Sequence, residues 1–148
     1  KLMRQLDTEK CYELTADELS QLQAIFAADF CTDEEGLGYI KQAFEQADYL
    51  MCPHTATCFK AYDTCRDDKS VKTIAYSTAE WTKFSPVIAN ALTGESFEHD
   101  IDALKMIAEK ANINIPAQIA ALFDKAIAQK TVIDKQDIEK EILSFLGA

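Results

Sequence analysis

Two short apolar runs interrupt a chain whose other apolar residues recur mostly at helical spacing. Residues 49–52 read YLMC, and residues 71–76 read VKTIAY. The first run ends at a proline and the second is rich in β-branched residues, as is typical of short buried strands. A helical pattern follows each run. The sequence therefore predicts an α/β fold, rich in helix, in which the two strands are parallel members of one sheet.

Helical stripes account for most of the other apolar residues before position 95. Thr15 and Glu18 have the spacing of a capping box, which predicts the start of a helix. Pro53 is acceptable in a first turn, so a helix is expected from His54 to about Asp63. The other stripes are Leu19, Leu22, Ile25 and Phe26; Leu37, Ile40, Phe44 and Ala47; and Phe84, Val87, Ile88, Ala91 and Leu92.

The last third of the sequence has only helical patterns. Asn114 and Asp134 are predicted to cap two of these helices, and Pro116 lies near the start of the first. The apolar stripes are Ile101, Leu104, Ile107 and Ala108; Ile119, Leu122, Phe123, Ala126 and Ile127; and Ile138, Ile142, Phe145 and Leu146.

Two strands do not make a stable parallel sheet, because both faces and both edges of a sheet need cover. Further strands would have to come from sequence outside these 148 residues. We therefore expect a fragment of a larger domain, or a chain that pairs with another.

Charge and hydrophobicity exclude some classes of function. The chain has 25 acidic and 15 basic side chains, a formal charge of −10. Such a field repels phosphate backbones and anionic membrane surfaces, which disfavours a nucleic-acid role. No apolar run approaches the roughly 20 residues that cross a bilayer.

The five cysteines do not have the spacing of a metal site. The first residues lack the apolar core of a signal peptide, so we expect reduced thiols and a cytoplasmic protein. Cys52, His54, Cys58 and Cys65 contain no CxxC pair, which disfavours zinc. A buried thiol is a simpler interpretation of Cys52 than a nucleophile activated by His54.

Polar residues follow both predicted strands. His54 and Thr55 come after residues 49–52, and Ser77 and Thr78 come directly after residues 71–76. Ligands bind at the carboxyl ends of strands in open α/β sheets, so these side chains would converge on one crevice. The commoner use of Ser and Thr at such positions is to cap a helix, with His54 an ordinary first-turn residue.

The same residues carry a resemblance to the C-terminal part of threonine synthase. That family typically shows an acidic-Pro-His-Thr-Ala segment followed by a Thr-Ala-His-Pro-Ala-Lys-Phe segment. Here the segments are Cys52-Pro53-His54-Thr55-Ala56 and Thr78-Ala79-Glu80-Trp81-Thr82-Lys83-Phe84. The resemblance covers nearly all of the chain and is strongest over residues 49–92. Cys52 replaces the acidic residue, and Glu80-Trp81 replaces His-Pro.

The resemblance implies a pyridoxal phosphate enzyme of the tryptophan synthase β type (fold type II). Such an enzyme converts O-phosphohomoserine and water to threonine and phosphate. Thr78 matches the hydroxyl that faces the pyridine nitrogen of the cofactor, and Ser77 would shape the same pocket. His54, Thr55 and Lys83 are the candidate substrate-binding residues, although a structural ion pair is an alternative role for Lys83.

The resemblance also implies what these residues lack. The Schiff-base lysine and the Gly-rich phosphate loop of the family belong to a part that resembles nothing here. We therefore expect residues 1–95 to be the C-terminal part of the large cofactor-binding domain and residues 96–148 a C-terminal helical segment. The partner would be the missing N-terminal part of the same enzyme, and the fragment alone would be inactive without bound pyridoxal phosphate.

Two other interpretations remain open. The amphipathic helices of residues 101–146 suit a non-catalytic acidic interaction module, with a groove or a dimer face and no sheet. Another enzyme of the same cofactor fold would differ in substrate specificity, which this segment need not encode.

Overall fold

The computed structural model describes residues 2–68 and 70–147, and these residues form helices and irregular connections. The α-helices are α1 (Leu2–Glu9), α2 (Ala16–Gln23), α3 (Asp33–Ala47), α4 (Pro53–Cys65), α5 (Ser85–Thr93), α6 (Asp100–Ala111), α7 (Ala117–Ala120) and α8 (Ile138–Leu146). Short 3-10 helices span Trp81–Phe84 and Lys135–Asp137. None of the helices in these ranges has the length and apolarity to cross a bilayer.

The predicted partial parallel sheet is wrong, since no residue in the described ranges forms a strand. Residues 49–52 connect α3 to α4 without regular structure, and they bury Met51 and Cys52 among helices. Residues 71–78, which we call the exposed segment, are irregular and solvent-exposed throughout, with Ile74 79% exposed. A strand is stable only with ladder partners and a covered face, and two short runs provide neither.

The core lies between α3, α5 and α6, with the start of α4 packed beside it. α5 contacts both α3 and α6, and α3 also contacts α4. The buried cluster comprises Ile40, Met51, Ala56, Ile88, Ala89, Ala91, Leu92, Ala103 and Ile107. Burying a side chain the size of Ile88 contributes about 1.5–3 kcal/mol, so this cluster stabilises the arrangement that holds α4 in place.

Local sequence signals determine where the core helices begin and end. Thr32 and Glu35 form a capping box at α3, and Thr15 and Glu18 form the predicted one at α2. α3 ends at Asp48, whose φ of 51° is left-handed. The reversal at Asp48 turns the chain back toward the start of α4.

The helices predicted over residues 37–47, 54–63, 84–92 and 101–108 are confirmed, and Pro86 lies in the first turn of α5. The prediction that Asn114 caps a helix is wrong, because α7 is a single turn that follows Pro116. Asp134 precedes a 3-10 turn, and α8 starts after Asp137.

The chain divides into two compact units, Lys1–Ile115 and Pro116–Ala148. The first contains the core and both motifs of the resemblance. The second contains α7 and α8, and α8 exposes Ile142 by 54% and Phe145 by 90%. The assignment of residues 1–95 to a cofactor-binding domain and of 96–148 to a helical segment stays a prediction.

Candidate functional site

The two polar motifs lie side by side, although no sheet brings them together. Thr55 Oγ1 donates a hydrogen bond to Ser77 Oγ at 3.4 Å across 22 positions of sequence. The ring of His54 contacts that of Phe84, with centroids 4.8 Å apart and a tilt of 54°. The start of α4 therefore contacts both Ser77, which directly precedes Thr78, and Phe84.

Cys52 and Pro53 determine the start of α4. Pro53 occupies the first turn, where its missing N–H and restricted φ are both suitable. Cys52 is the N-cap with a β-region backbone (φ −74°, ψ 154°), and its Sγ accepts from the N–H of Thr55 at 3.4 Å. His54 thereby faces solvent in the first turn, and Thr55 is only 2% exposed. His54 is placed as the first-turn interpretation expected.

The groups around the Cys52 sulfur lower the pKa of its thiol. Burial opposes ionisation, but the hydroxyl and N–H of Thr55, together with the N–H groups of Ala79 and His54, outweigh it and hold the pKa of Cys52 below its usual value. Thiols at helix N-termini commonly show this direction of shift. Cys52 Sγ lies 3.0 Å from Thr55 Oγ1, and either atom can donate that hydrogen bond.

Ser77 is anchored to α4, whereas Thr78 is not. Ser77 Oγ accepts from Thr55 and donates to the carbonyl of Ala79 at 3.2 Å. In the described ranges the hydroxyl of Thr78 has no hydrogen-bond partner. Neither residue caps the next helix, because Glu80 is the N-cap of the 3-10 helix. The helix-cap interpretation of Ser77 and Thr78 is therefore wrong.

Thr78 lines a cleft of about 820 Å³ between α3, α4 and the exposed segment. Four of its lining residues are aromatic, Tyr39, Phe59, Tyr62 and Tyr76, and Arg66 lies over the ring of Tyr62 at 4.5 Å. Tyr39 donates a hydrogen bond to Asp63 at 2.9 Å on the same side. Small-molecule sites have this size and this mixture of aromatic walls with a few polar groups.

His54 and Lys83 both lie close to the ring of Phe84 and do not line that cleft. Lys83 Nζ is 5.4 Å from the centroid of the Phe84 ring, and the side chain is exposed. No ion pair involves Lys83 in the described part of the chain, so the structural ion pair considered for it is not seen there. Phe84 also lines a second groove of about 510 Å³ with Pro53 and Cys31.

The sequence analysis expected Cys52 to be a buried thiol, which it is, but missed its role as the N-cap of α4. The signal was present: a residue directly before a first-turn proline is the N-cap, and the residue three positions after the N-cap supplies the bonded N–H. Reasoning by residue also missed Tyr39, Tyr62 and Arg66, because residues of α3 and residues at the end of α4 converge only in the folded chain.

The cysteines show no pairing and no metal geometry. All five are free thiols, with Cys52 buried and Cys11 and Cys58 exposed. Within residues 2–68 and 70–147, no three His, Cys, Asp or Glu side chains are placed to share a metal ion.

Comparison with known proteins finds partial similarity to one kind of protein. Over 92 residues (62% of this chain), the chain is 33% identical to threonine synthase-like 1 of Macaca fascicularis. It is 32% identical over 92 residues to the protein of that name in Homo sapiens, and 36% identical over 74 residues to that in Mus musculus. No protein-family model matches the chain.

The match is short relative to those proteins. It spans 12% of the macaque and human proteins and 10% of the mouse protein. Over part of its length, the chain is related to threonine-synthase-like proteins.

Proposed function

We propose that this chain is the C-terminal part of a pyridoxal-phosphate-dependent enzyme related to threonine synthase, and that it contributes one wall of the cofactor site. The hydrogen bond between Thr55 and Ser77 carries the proposal. It joins the first segment of the resemblance to the residue directly before the second segment, 22 positions away in sequence. The partial similarity to threonine synthase-like 1 supports the same relation.

The hydroxyl of Thr78 is suited to bind the pyridine ring of the cofactor. The Thr78 hydroxyl is exposed, has no partner in the described residues and borders an aromatic-walled cleft. A neutral hydroxyl shares one hydrogen bond with a ring nitrogen, whereas a carboxylate would hold that nitrogen protonated. In this proposal Thr78 binds the ring nitrogen and leaves it unprotonated.

The proposed reaction converts O-phospho-L-homoserine and water to L-threonine and phosphate. When bound, pyridoxal phosphate supplies an electron sink that stabilises negative charge on substrate carbons. The residues of this chain bind and orient: Ser77 holds the segment beside Thr78, and His54 and Lys83 offer exposed groups for an anionic substrate. Thr55 is buried against Cys52 and Ser77, and its contact with substrate stays a prediction.

The rest of the enzyme would come from the N-terminal part that the resemblance implies. That part would supply the Schiff-base lysine and the phosphate-binding loop. These 148 residues are accordingly expected to be inactive alone, without covalently bound cofactor.

The test measures phosphate release from O-phospho-L-homoserine by the natural protein that contains this chain, with pyridoxal phosphate present. Thr78→Ala is expected to lower the rate about three- to tenfold, the effect of losing one neutral hydrogen bond. Thr78→Ser keeps the hydroxyl and should retain the rate. Thr73→Ala, which alters the same cleft outside the motif, is the matched control.

Two outcomes contradict the proposal. One is a protein loaded with pyridoxal phosphate that releases no phosphate. The other is an unchanged rate in Thr78→Ala.

A non-catalytic acidic helical interaction module is the second candidate. It is favoured by the all-helical secondary structure of the described residues and by the apolar face that α8 exposes. A natural protein that takes up no pyridoxal phosphate, in which Phe145→Ser abolishes self-association of this chain, would support the module over the enzyme.

A further inference from the structure

We propose that Cys52 is a positioning residue for Ser77 and Thr78, acting through the hydroxyl of Thr55. The inference rests on the proposed function for its catalytic meaning. The positioning itself rests on contacts within this chain. Its starting point is that Ser77 and Thr78 end the exposed segment, and yet Ser77 is attached to α4.

The exposed segment has little to hold it in place. No backbone–backbone hydrogen bond involves residues 72–78 in the part of the chain that the structure describes. Tyr76, directly before the polar pair, is 78% exposed. The position of Ser77 and Thr78 therefore depends on side-chain contacts.

A directed series of hydrogen bonds supplies the attachment. Thr55 has one hydroxyl proton and donates it to Ser77 at 3.4 Å, and Ser77 donates its own to the Ala79 carbonyl at 3.2 Å. With the sulfur in its thiol form and that proton used, Cys52 donates to Thr55 Oγ1 across the 3.0 Å contact, whereas a thiolate would accept from Thr55 instead. In the thiol form the Ala79 carbonyl, which can only accept, sets the direction of each hydrogen bond in the series.

The series starts from a rigid point. Cys52 and Thr55 are 1% and 2% exposed, and they belong to the first turn of α4 beside the buried cluster. Removing the sulfur leaves the Thr55 hydroxyl with one partner and a choice of rotamers. The N–H of Ala79 would also lose its contact with the sulfur. Loosening would then reach Ser77 and the adjacent Thr78, although neither of these two residues hydrogen-bonds to Cys52 in the described part of the chain.

The experiment measures backbone ¹⁵N order parameters of the 148-residue chain by NMR. In the unaltered chain, Ser77 and Thr78 should approach the rigid value of about 0.85. Cys52→Ala is expected to lower both below about 0.6, the range of flexible backbone. Cys52→Ser keeps a donor and acceptor at the N-cap and should restore the rigid values.

Two control variants separate positioning from stability. Thr32→Ala removes a comparable cap from α3 and should lower stability without loosening Ser77 or Thr78. Cys58→Ala removes an exposed thiol from the same helix as Cys52 and should change nothing. Thr55→Val, nearly isosteric, is the second test if Cys52→Ala fails to fold, and it should loosen the same two residues.

Unchanged order parameters in both Cys52→Ala and Thr55→Val overturn the inference, and so does equal loosening in Thr32→Ala. The NMR measurement needs no cofactor, so its result is independent of the proposed activity. In the natural protein, Cys52→Ala should also raise the pyridoxal phosphate concentration for half-saturation by about two- to tenfold. Cys11→Ala, which removes an exposed thiol outside the cleft, should not. Loosened residues with no cofactor binding at all would refute the proposed function and leave the positioning intact.

Discussion

α5 and the exposed segment contain similar apolar residues but place them in opposite environments. Ile88 in α5 is fully buried, whereas Ile74 in the exposed segment is 79% exposed. A helix satisfies its own backbone and presents a stripe to its neighbours, so α5 becomes buried through contacts within this chain. A β-branched run that favours a strand cannot pair its own backbone and needs a neighbouring strand. Whether these apolar side chains are buried therefore depends on whether their segment can form its backbone hydrogen bonds by itself.

The largest expected effect is the difference in unfolding free energy between a variant of a core isoleucine and a variant of an exposed isoleucine. Ile107→Ala removes a fully buried side chain from the cluster and should lower the free energy of unfolding by about 2–5 kcal/mol. Ile74→Ala should change it by less than about 0.5 kcal/mol. Urea denaturation of both variants measures the difference. Similar losses would show that the exposed segment is packed in solution.

An intermediate effect separates a helix that joins the core from one that does not. Thr32→Ala removes the cap of α3 and should cost about 1 kcal/mol of global stability. Thr15→Ala removes the same motif from α2, which buries no residue, so it should fray α2 with a smaller shift of the unfolding midpoint. Denaturation curves and helicity by circular dichroism test this, and equal midpoints in the two variants would contradict it.

The smallest effect concerns acid sensitivity near the start of α3. The N–H and hydroxyl of Thr32, and then Lys60 at 3.3 Å, hold the pKa of Glu35 below its ordinary value of 4.5. Because folding lowers the pKa, the ionised carboxylate stabilises the folded chain at pH values above its ordinary pKa of 4.5. This stability is lost as the pH falls through the pKa of the folded state. Lys60→Gln should therefore make stability slightly less dependent on pH below 4.5.

Thermal unfolding at a series of acidic pH values measures that dependence. Lys41→Gln, which removes the exposed pair with Glu45 at 3.9 Å, is the control. A steeper dependence in Lys60→Gln would reverse the assigned sign.

The sequence predicted the helices well because their signals are local. The Thr15–Glu18 box, the proline in the first turn of α4 and the stripe around Ile40 each lie within a few residues of the structure they determine. The sheet could not be predicted correctly from β propensity, because propensity describes fit to a surface that other strands must provide. The length of α7 was also missed, since Asn114 looks like a cap without acting as one.

The candidate site was predictable in its members but not in its geometry. Both motifs were identified by residue type, and Thr55 and Ser77 do meet. The separation of Thr78 from His54 and Lys83 was not foreseeable, because it depends on where α3 and the 3-10 helix pack. The roles proposed for Thr78, Ser77, His54, Thr55 and Lys83 stay predictions.

Asp48 lies outside both motifs, yet its torsion angles set the direction of the chain into α4, which begins five residues later. A φ of 51° carries a steric cost that glycine avoids and that asparagine and aspartate tolerate, so most other residues would strain this corner. A β-branched residue at this corner would redirect the polypeptide before it reached Cys52. The alignment of the two motifs is thus governed by one torsion upstream of them, and variation at this corner would alter the pocket without touching any residue in it.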